Sequence, residues 1–369
     1  MDRLLLIILL FFSGLSYILV HNISAEVIEF DTTPFAFTFN PDNEKMYYIY
    51  HTYEKTPYVA VISKYDDAKI PIPNEIILTS KNITQNEFKN EKPISIIYNP
   101  SDKNIYVLSL ASSEEGGSIV FKINGTDDTI IDTIKLPEMR YPVTLAYNPS
   151  NDYIYVSGSF DPMELINTTT GISTELNKIS SAFDITYNPQ NKNLYLTTGA
   201  KMNTNSDSNS LLVQDENDKP ILVLSGKTNK IIDSISINAS TYFSEYNPSD
   251  KQIYVTSSEG IFSINSTNNR ITNHIDSEIL NDSKLFDIVY NSADKLMYIS
   301  SDIGVISVNI TNNEVDVIED TIDESPWSII YNPVTELIYF NHKHFPDRFC
   351  QIGSDNPSLD SPVFCLLKW

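Results

Sequence analysis

Seven times along the chain an aromatic residue is followed by Asn, then usually by Pro, a short polar turn and an aliphatic-Tyr-aliphatic run. The copies read FNPDNEKMYYI at Phe39, YNPSDKNIYVL at Tyr98, YNPSNDYIYVS at Tyr147, YNPQNKNLYLT at Tyr187, YNPSDKQIYVT at Tyr246, YNSADKLMYIS at Tyr290 and YNPVTELIYFN at Tyr331. A recurrence of this size means one supersecondary unit copied in series, each unit burying its apolar face against its neighbours. The copy at Tyr246 shows what the unit contains. TYFSEYNP ends where proline holds the preceding residue extended and presets a turn. QIYVTSS, IFSIN and RITNHI follow as three further short strands, rich in β-branched and aromatic residues and parted by polar turns. Four strands joined by turns make an antiparallel meander. Seven such units protect their sheet edges best in a radial array. The expected fold is therefore all-β, a seven-bladed β-propeller of four-stranded antiparallel blades, here lettered A to D from the inside outward.

The blade pattern, with Ile/Leu-Tyr-Val opening strand B and Tyr254, Val255 and Thr256 in one copy, resembles the YVTN-type β-propeller repeat family. The resemblance spans residues 30–345. It implies an exported surface protein of archaeal or bacterial type, and it brings no catalytic residues with it. The family's Pro-Asp-Gly turn is here Asn-Pro followed mostly by Ser or Asp, without the glycine.

Leu4 to Val20 form an apolar run behind Arg3, which marks residues 1–25 as a signal peptide, cleaved after Ser16 or Ala25, or as an N-terminal anchor. The propeller then occupies 26–369, outside the cytoplasm, secreted or at the cell surface. The only membrane contact expected is through that first segment, if uncleaved. Cys350 and Cys365 are the two cysteines, both near the C-terminus, and in an exported chain they suggest a disulfide pinning the tail over 345–369. Two segments compete to close the ring as the outermost strand of the last blade, EVIEF at Glu26 to Phe30 and VFCLL at Val363 to Leu367.

With 25 basic and 48 acidic residues, the net charge of −23 repels phosphate backbones and excludes nucleic acid as a natural partner. Cations and basic proteins suit it better. Anchor spacing locates the departures from the repeat: Phe39 to Tyr98 and Tyr187 to Tyr246 are each 59 residues apart, whereas Tyr147 to Tyr187 is 40. The extra residues are Lys81 to Lys92, between strand D and the next A, and Ala200 to Lys219, between B and C. Both connections belong to the top face, opposite the Asn-Pro turns. Long loops on a rigid scaffold are where binding usually resides.

Three residues before each anchor, near the top of strand A, stand Ala36, Ser95, Thr144, Asp184, Phe243, Asp287 and Ser328. Asp184 and Asp287, with Glu245 two residues further along its strand, are candidate oxygen ligands for calcium. His342, His344 and Asp347 form a weaker candidate metal group. Asn22, Asn82, Asn124, Asn167, Asn238, Asn265, Asn281 and Asn309 head N-x-[ST] triplets, and four of them, Asn124, Asn167, Asn265 and Asn309, share one repeat position at the end of strand C. These would ring the bottom face with glycans.

No nucleophile elbow, zinc-protease helix or phosphate-cradling glycine loop is present in the sequence. The expected function is a noncatalytic scaffold that binds a protein or polysaccharide of the cell envelope, or a cation, through its top-face loops. A propeller enzyme of lyase or lactonase type with a channel-mouth metal is the alternative, and a structural surface-layer component is a third.

Overall fold

The computed structural model describes residues 36–51, 57–62, 74–77, 92–110, 117–159, 161–176, 182–198, 221–318, 326–341, 348–352 and 363–367, with 179 and 321. They build seven four-stranded antiparallel sheets, each ordered as it runs in sequence. Blade one is β1 (Ala36–Asn40), β2 (Lys45–His51), β3 (Pro57–Ile62) and β4 (Asn74–Ile77). Blade two is β5 (Lys92–Asn99), β6 (Asn104–Leu110), β7 (Ser118–Asn124) and β8 (Ile130–Leu136). Blade three holds β9 (Pro142–Asn148), β10 (Tyr153–Gly158), β11 (Met163–Asn167) and β12 (Ser173–Leu176). Blade four holds β13 (Asp184–Asn188), β14 (Asn193–Thr197), β15 (Ile221–Ser225) and β16 (Ile231–Ile235). In blade five come β17 (Thr241–Asn247), β18 (Gln252–Ser257), β19 (Gly260–Asn265) and β20 (Arg270–Asp276). β21 (Leu285–Tyr290), β22 (Met297–Ser301), β23 (Gly304–Asn309) and β24 (Glu314–Val317) make blade six. β25 (Ile329–Asn332), β26 (Leu337–Asn341), β27 (Arg348–Ile352) and β28 (Val363–Leu367) make blade seven.

The first strand of each sheet packs on the first strand of the next, and β25 returns to β1. That closes a ring of seven inner strands, as expected for a propeller. β28 pairs with β27, so VFCLL completes the seventh blade from the chain's own C-terminal end. EVIEF lies outside the described residues, as do the leader, Asn22, Asn82, His342, His344 and Asp347. Among the described residues no helix is long and apolar enough to cross a membrane.

The aliphatic-Tyr-aliphatic run is strand B, and its burial explains its composition. Neighbouring residues of β6 point into different cores: Ile105 and Val107 join the cluster shared with blade one, while Tyr106 and Leu108 join the cluster shared with blade three. A strand buried on both faces reads as a continuous apolar run, with no polar alternation. Every described core cluster spans two adjacent blades, so the apolar layers lie between blades around the ring. Strand D is the wet edge, as in β16, where Ile231 to Ser234 are exposed and Ile235 is buried.

The anchor asparagine is an Asx turn in all seven blades. Its Oδ1 accepts the backbone N–H two residues on, from Asp42, Ser101, Ser150, Gln190, Ser249, Ala293 and Val334 in turn. Glu44, Lys103, Asp152, Lys192, Lys251, Lys295 and Glu336 then take left-handed backbone, with φ between 57° and 67°. The position a glycine would fill at no steric cost is held here by charged residues.

These turns also join blades along the bottom face. Asn40 Nδ2 donates to Gly125 O of the next blade at 3.2 Å, Asn148 Nδ2 to Gly226 O at 2.8 Å, and Asn191 Nδ2 to Ser266 O at 2.7 Å. The strand-B tyrosines continue the pattern, Tyr47 reaching Asp128 at 2.8 Å and Tyr195 reaching Asn269 at 2.8 Å. The Tyr106 hydroxyl turns instead to Asp102 of its own blade, at 2.6 Å, as Tyr298 does to Asp294 at 2.7 Å.

Candidate functional site at the channel mouth

Four of the inner strands end at the top in bulges. Register slips between Pro93 and Ser95, between Thr241 and Ser244, and between Leu285 and Ile288; β10 likewise steps from Thr144 to Pro142 across Ser157 and Gly158. A bulge frees residues from the ladder and re-aims their side chains. In blades five and six the freed residues are Tyr242, Phe243, Phe286 and Asp287.

Strand-B hydroxyls hold this freed backbone. Thr197 Oγ1 accepts Asp184 N–H at 3.0 Å and donates to the carbonyl of Tyr242 in the next blade. Thr256 Oγ1 does the same one blade on, accepting Phe243 N–H at 3.0 Å and donating to Phe286 O at 3.0 Å. In blade seven Asn341 Oδ1 accepts the N–H groups of Trp327 and Ser328, at 2.8 and 2.7 Å.

The result is an aromatic half-collar over blades four to seven. Phe183 meets Phe243 edge-on at 5.1 Å and Tyr242 at 6.0 Å. Phe286 stacks on Trp327 with ring centroids 4.5 Å apart and planes 17° off parallel, and Trp327 remains 50% exposed. The other half of the mouth carries Ile94 and Val143 in the same position. Composition and motif reading passed over these aromatics. The column four residues before each anchor nonetheless reads Phe35, Ile94, Val143, Phe183, Tyr242, Phe286 and Trp327, so aligning the repeats exposes it.

Asp184 and Asp287, expected with Glu245 to bind calcium, directly follow the collar residues Phe183 and Phe286. Among the described residues, no three His, Cys, Asp or Glu side chains gather to hold a metal ion. Asp184, Glu245 and Asp287 each accept hydrogen bonds from the following blade. Asp184 Oδ2 accepts Ser244 N–H at 2.9 Å and Ser244 Oγ–H at 3.0 Å. Asp287 Oδ2 accepts Ile329 N–H at 3.1 Å and Ser328 Oγ–H at 3.2 Å. Glu245 accepts Tyr290 N–H. Neutral residues serve the same purpose elsewhere: Ser95 Oγ accepts Leu145 N–H at 3.2 Å and Thr38 Oγ1 accepts Tyr98 N–H at 2.9 Å. The aspartates thus occupy places that serine and threonine fill in other blades. The difference is charge.

That charge is under strain. Enclosure by the ring, then repulsion from Asp287 and Asp184, pushes the Glu245 carboxyl up to about 8. Burial first and Asp184 second push Asp287 up to about 7, although hydrogen bonds from Ile329, Ile288 and Ser328 oppose the rise. Burial also raises Asp184. Three carboxylates sense one another across the inner ring without converging on one point.

The remaining sequence candidates separate by face. Asn124, Asn167, Asn265 and Asn309 end β7, β11, β19 and β23, and each Oδ1 accepts the N–H of the hydroxyl residue of its own triplet, Thr126, Thr169, Thr267 and Thr311. They sit on the bottom rim, as the repeat position implied. Asn238 and Asn281 are exposed in connections on the top side, Asn281 in left-handed backbone after a short 3-10 turn. Cys350 and Cys365 stand directly opposite in the β27–β28 register. The inserted residues 81–91 and 200–219 lie outside the described residues, while the strand ends that flank them, Ile77 with Lys92 and Thr197 with Ile221, are described. No protein-family model matches the chain, and no curated protein sequence matches it.

Proposed function

We propose that the chain is an exported, noncatalytic scaffold of YVTN-type repeats, secreted or held at the cell surface, that binds a protein of the cell envelope through its top face. The observation that carries this reading is the contrast between the two faces. The bottom face spends its polar groups on Asx turns and blade-to-blade bonds, whereas the top ends of blades four to seven present partly exposed aromatics, those of blades five and six on bulged backbone. The two long connections belong to the same face, and an acidic surface favours a basic partner. Removing 81–91 and 200–219 together is expected to abolish saturable binding to isolated envelope material. Unchanged binding by a folded deletion variant overturns the reading.

Export further supports a Cys350–Cys365 disulfide and glycans on Asn124, Asn167, Asn265 and Asn309. Antiparallel residues directly opposite one another have Cα atoms about 4.5–5.5 Å apart, within the span a disulfide bridges. Intact-mass measurement before and after reduction and alkylation is expected to show two thiols only after reduction. Alkylation of the unreduced native and unfolded protein would rule the bridge out.

A further inference from the structure

The aromatic half-collar and the carboxylates beneath it form a combination that neither the ring nor the bridging role requires. Blades one to three close with Thr38 and Ser95 as bridging acceptors and with Ile94 and Val143 at the mouth. Blades four to seven do the same structural work with Asp184, Glu245 and Asp287, under Phe183, Tyr242, Phe286 and Trp327. An indole half exposed to water at the end of an inner strand is a poor use of a large apolar surface unless something covers it.

We propose that this half of the channel mouth receives an arginine or lysine side chain of a basic protein partner, its cation lying against the Phe286–Trp327 pair and facing Asp287. The proposal rests on the scaffold reading and names the chemistry of its ligand. Three physical features support it. Aromatic faces carry negative quadrupole and attract guanidinium and ammonium groups, more strongly where water is thinned. An adjoining carboxyl is of the right sign: Asp287 follows Phe286 directly, and its Oδ2 accepts from Ser328, the residue after Trp327. The receiving surface is already rigid, because Thr256 holds Phe286 O and Asn341 holds Trp327 N–H, so little ordering is needed on binding.

The strand also explains why the ligand is an organic cation rather than a metal ion. The two aspartates stand on blades four and six and each is committed to a neighbouring backbone, so they offer a field rather than a coordination shell.

The test uses the full chain and three probes, the capped tripeptide acetyl-Gly-Arg-Gly-amide, its citrulline counterpart, and agmatine as a free cation. Isothermal titration is expected to give a Kd of about 1 mM or tighter for the arginine peptide. The uncharged citrulline peptide is expected to bind at least about tenfold more weakly, and Trp327→Ala to weaken the arginine peptide about tenfold. Because Trp327 is half exposed, its removal should leave the fold intact by circular dichroism. Asp287→Asn supplies a second variant, with a reduced response to added salt. Equal binding of the citrulline peptide, or unchanged binding by a folded Trp327→Ala protein, overturns the proposal. Agmatine binding more tightly than the peptide would assign the site to a free amine and overturn the protein partner. The two long connections stay intact throughout, so failure here leaves the loop-deletion result standing, and the converse.

Discussion

Lys251 shows how much of this fold is decided one residue at a time. Its φ of 63° lies in the left-handed region that a β-carbon resists, yet the turn between strands A and B needs that conformation in every blade. Its side chain is exposed, so replacing it with glycine removes the clash and little else. Lys251→Gly is expected to raise stability by up to about 1 kcal/mol, read as a rise in Tm, with part of the gain offset by glycine's unfolded-state entropy. The opposite case is Gly125, which sits where two blades meet. A β-carbon there would stand 2.3 Å from Lys103 O and 2.8 Å from Asn40 Nδ2. Gly125→Ala is expected to cost about 2 kcal/mol, measured by denaturant unfolding. Neither position was legible from the sequence: charged residues hold the strained place, and one glycine of a turn looks like any other until its neighbour blade is in view.

At the scale of the turn and its strands, the anchor asparagine does two separable jobs. Asn247 is fully buried and makes the Asx turn through Oδ1, but its Nδ2 has no hydrogen-bond partner. Asn148 makes the same turn and also donates from Nδ2 to Gly226 O of the next blade and to the Tyr155 hydroxyl, at 2.8 and 3.1 Å. The difference follows from the facing residue, since Gly226 lets the amide approach where Ile310 in blade six carries a side chain. Asn247→Ala is therefore expected to cost about 1 kcal/mol and Asn148→Ala about twice that, because the second also leaves a buried carbonyl unpaired. Equal losses in equilibrium unfolding would show that the blade-to-blade bond adds nothing. The turn itself was readable seven times over, because an Asx turn is local. Which copies also join blades was not, because that depends on a residue about 78 positions away.

For the whole molecule, the acidic inner ring couples stability to pH. Folded Glu245 holds its proton up to about 8 and Asp287 up to about 7, against ordinary values of 4.5 and 3.8. Between the unfolded and folded values the native state binds more protons than the unfolded chain, so stability falls as pH rises through that window. Melting temperature is expected to fall from pH 5 to pH 8, and Glu245→Gln to flatten that dependence and raise Tm at pH 8. A variant whose Tm still falls as steeply as that of the parent would place the coupling elsewhere on the acidic surface. The sequence by itself determined the number of blades, the aliphatic-Tyr-aliphatic run of strand B and the polar bottom turns, because each depends on residues near one another in the chain and repeats seven times. Only the tertiary structure decided that VFCLL completes the last blade, that the three carboxylates each accept hydrogen bonds from the following blade, and that four aromatics form one half of the channel mouth. Those outcomes depend on which side chains meet across blades, and a ring brings together residues that no local spacing relates.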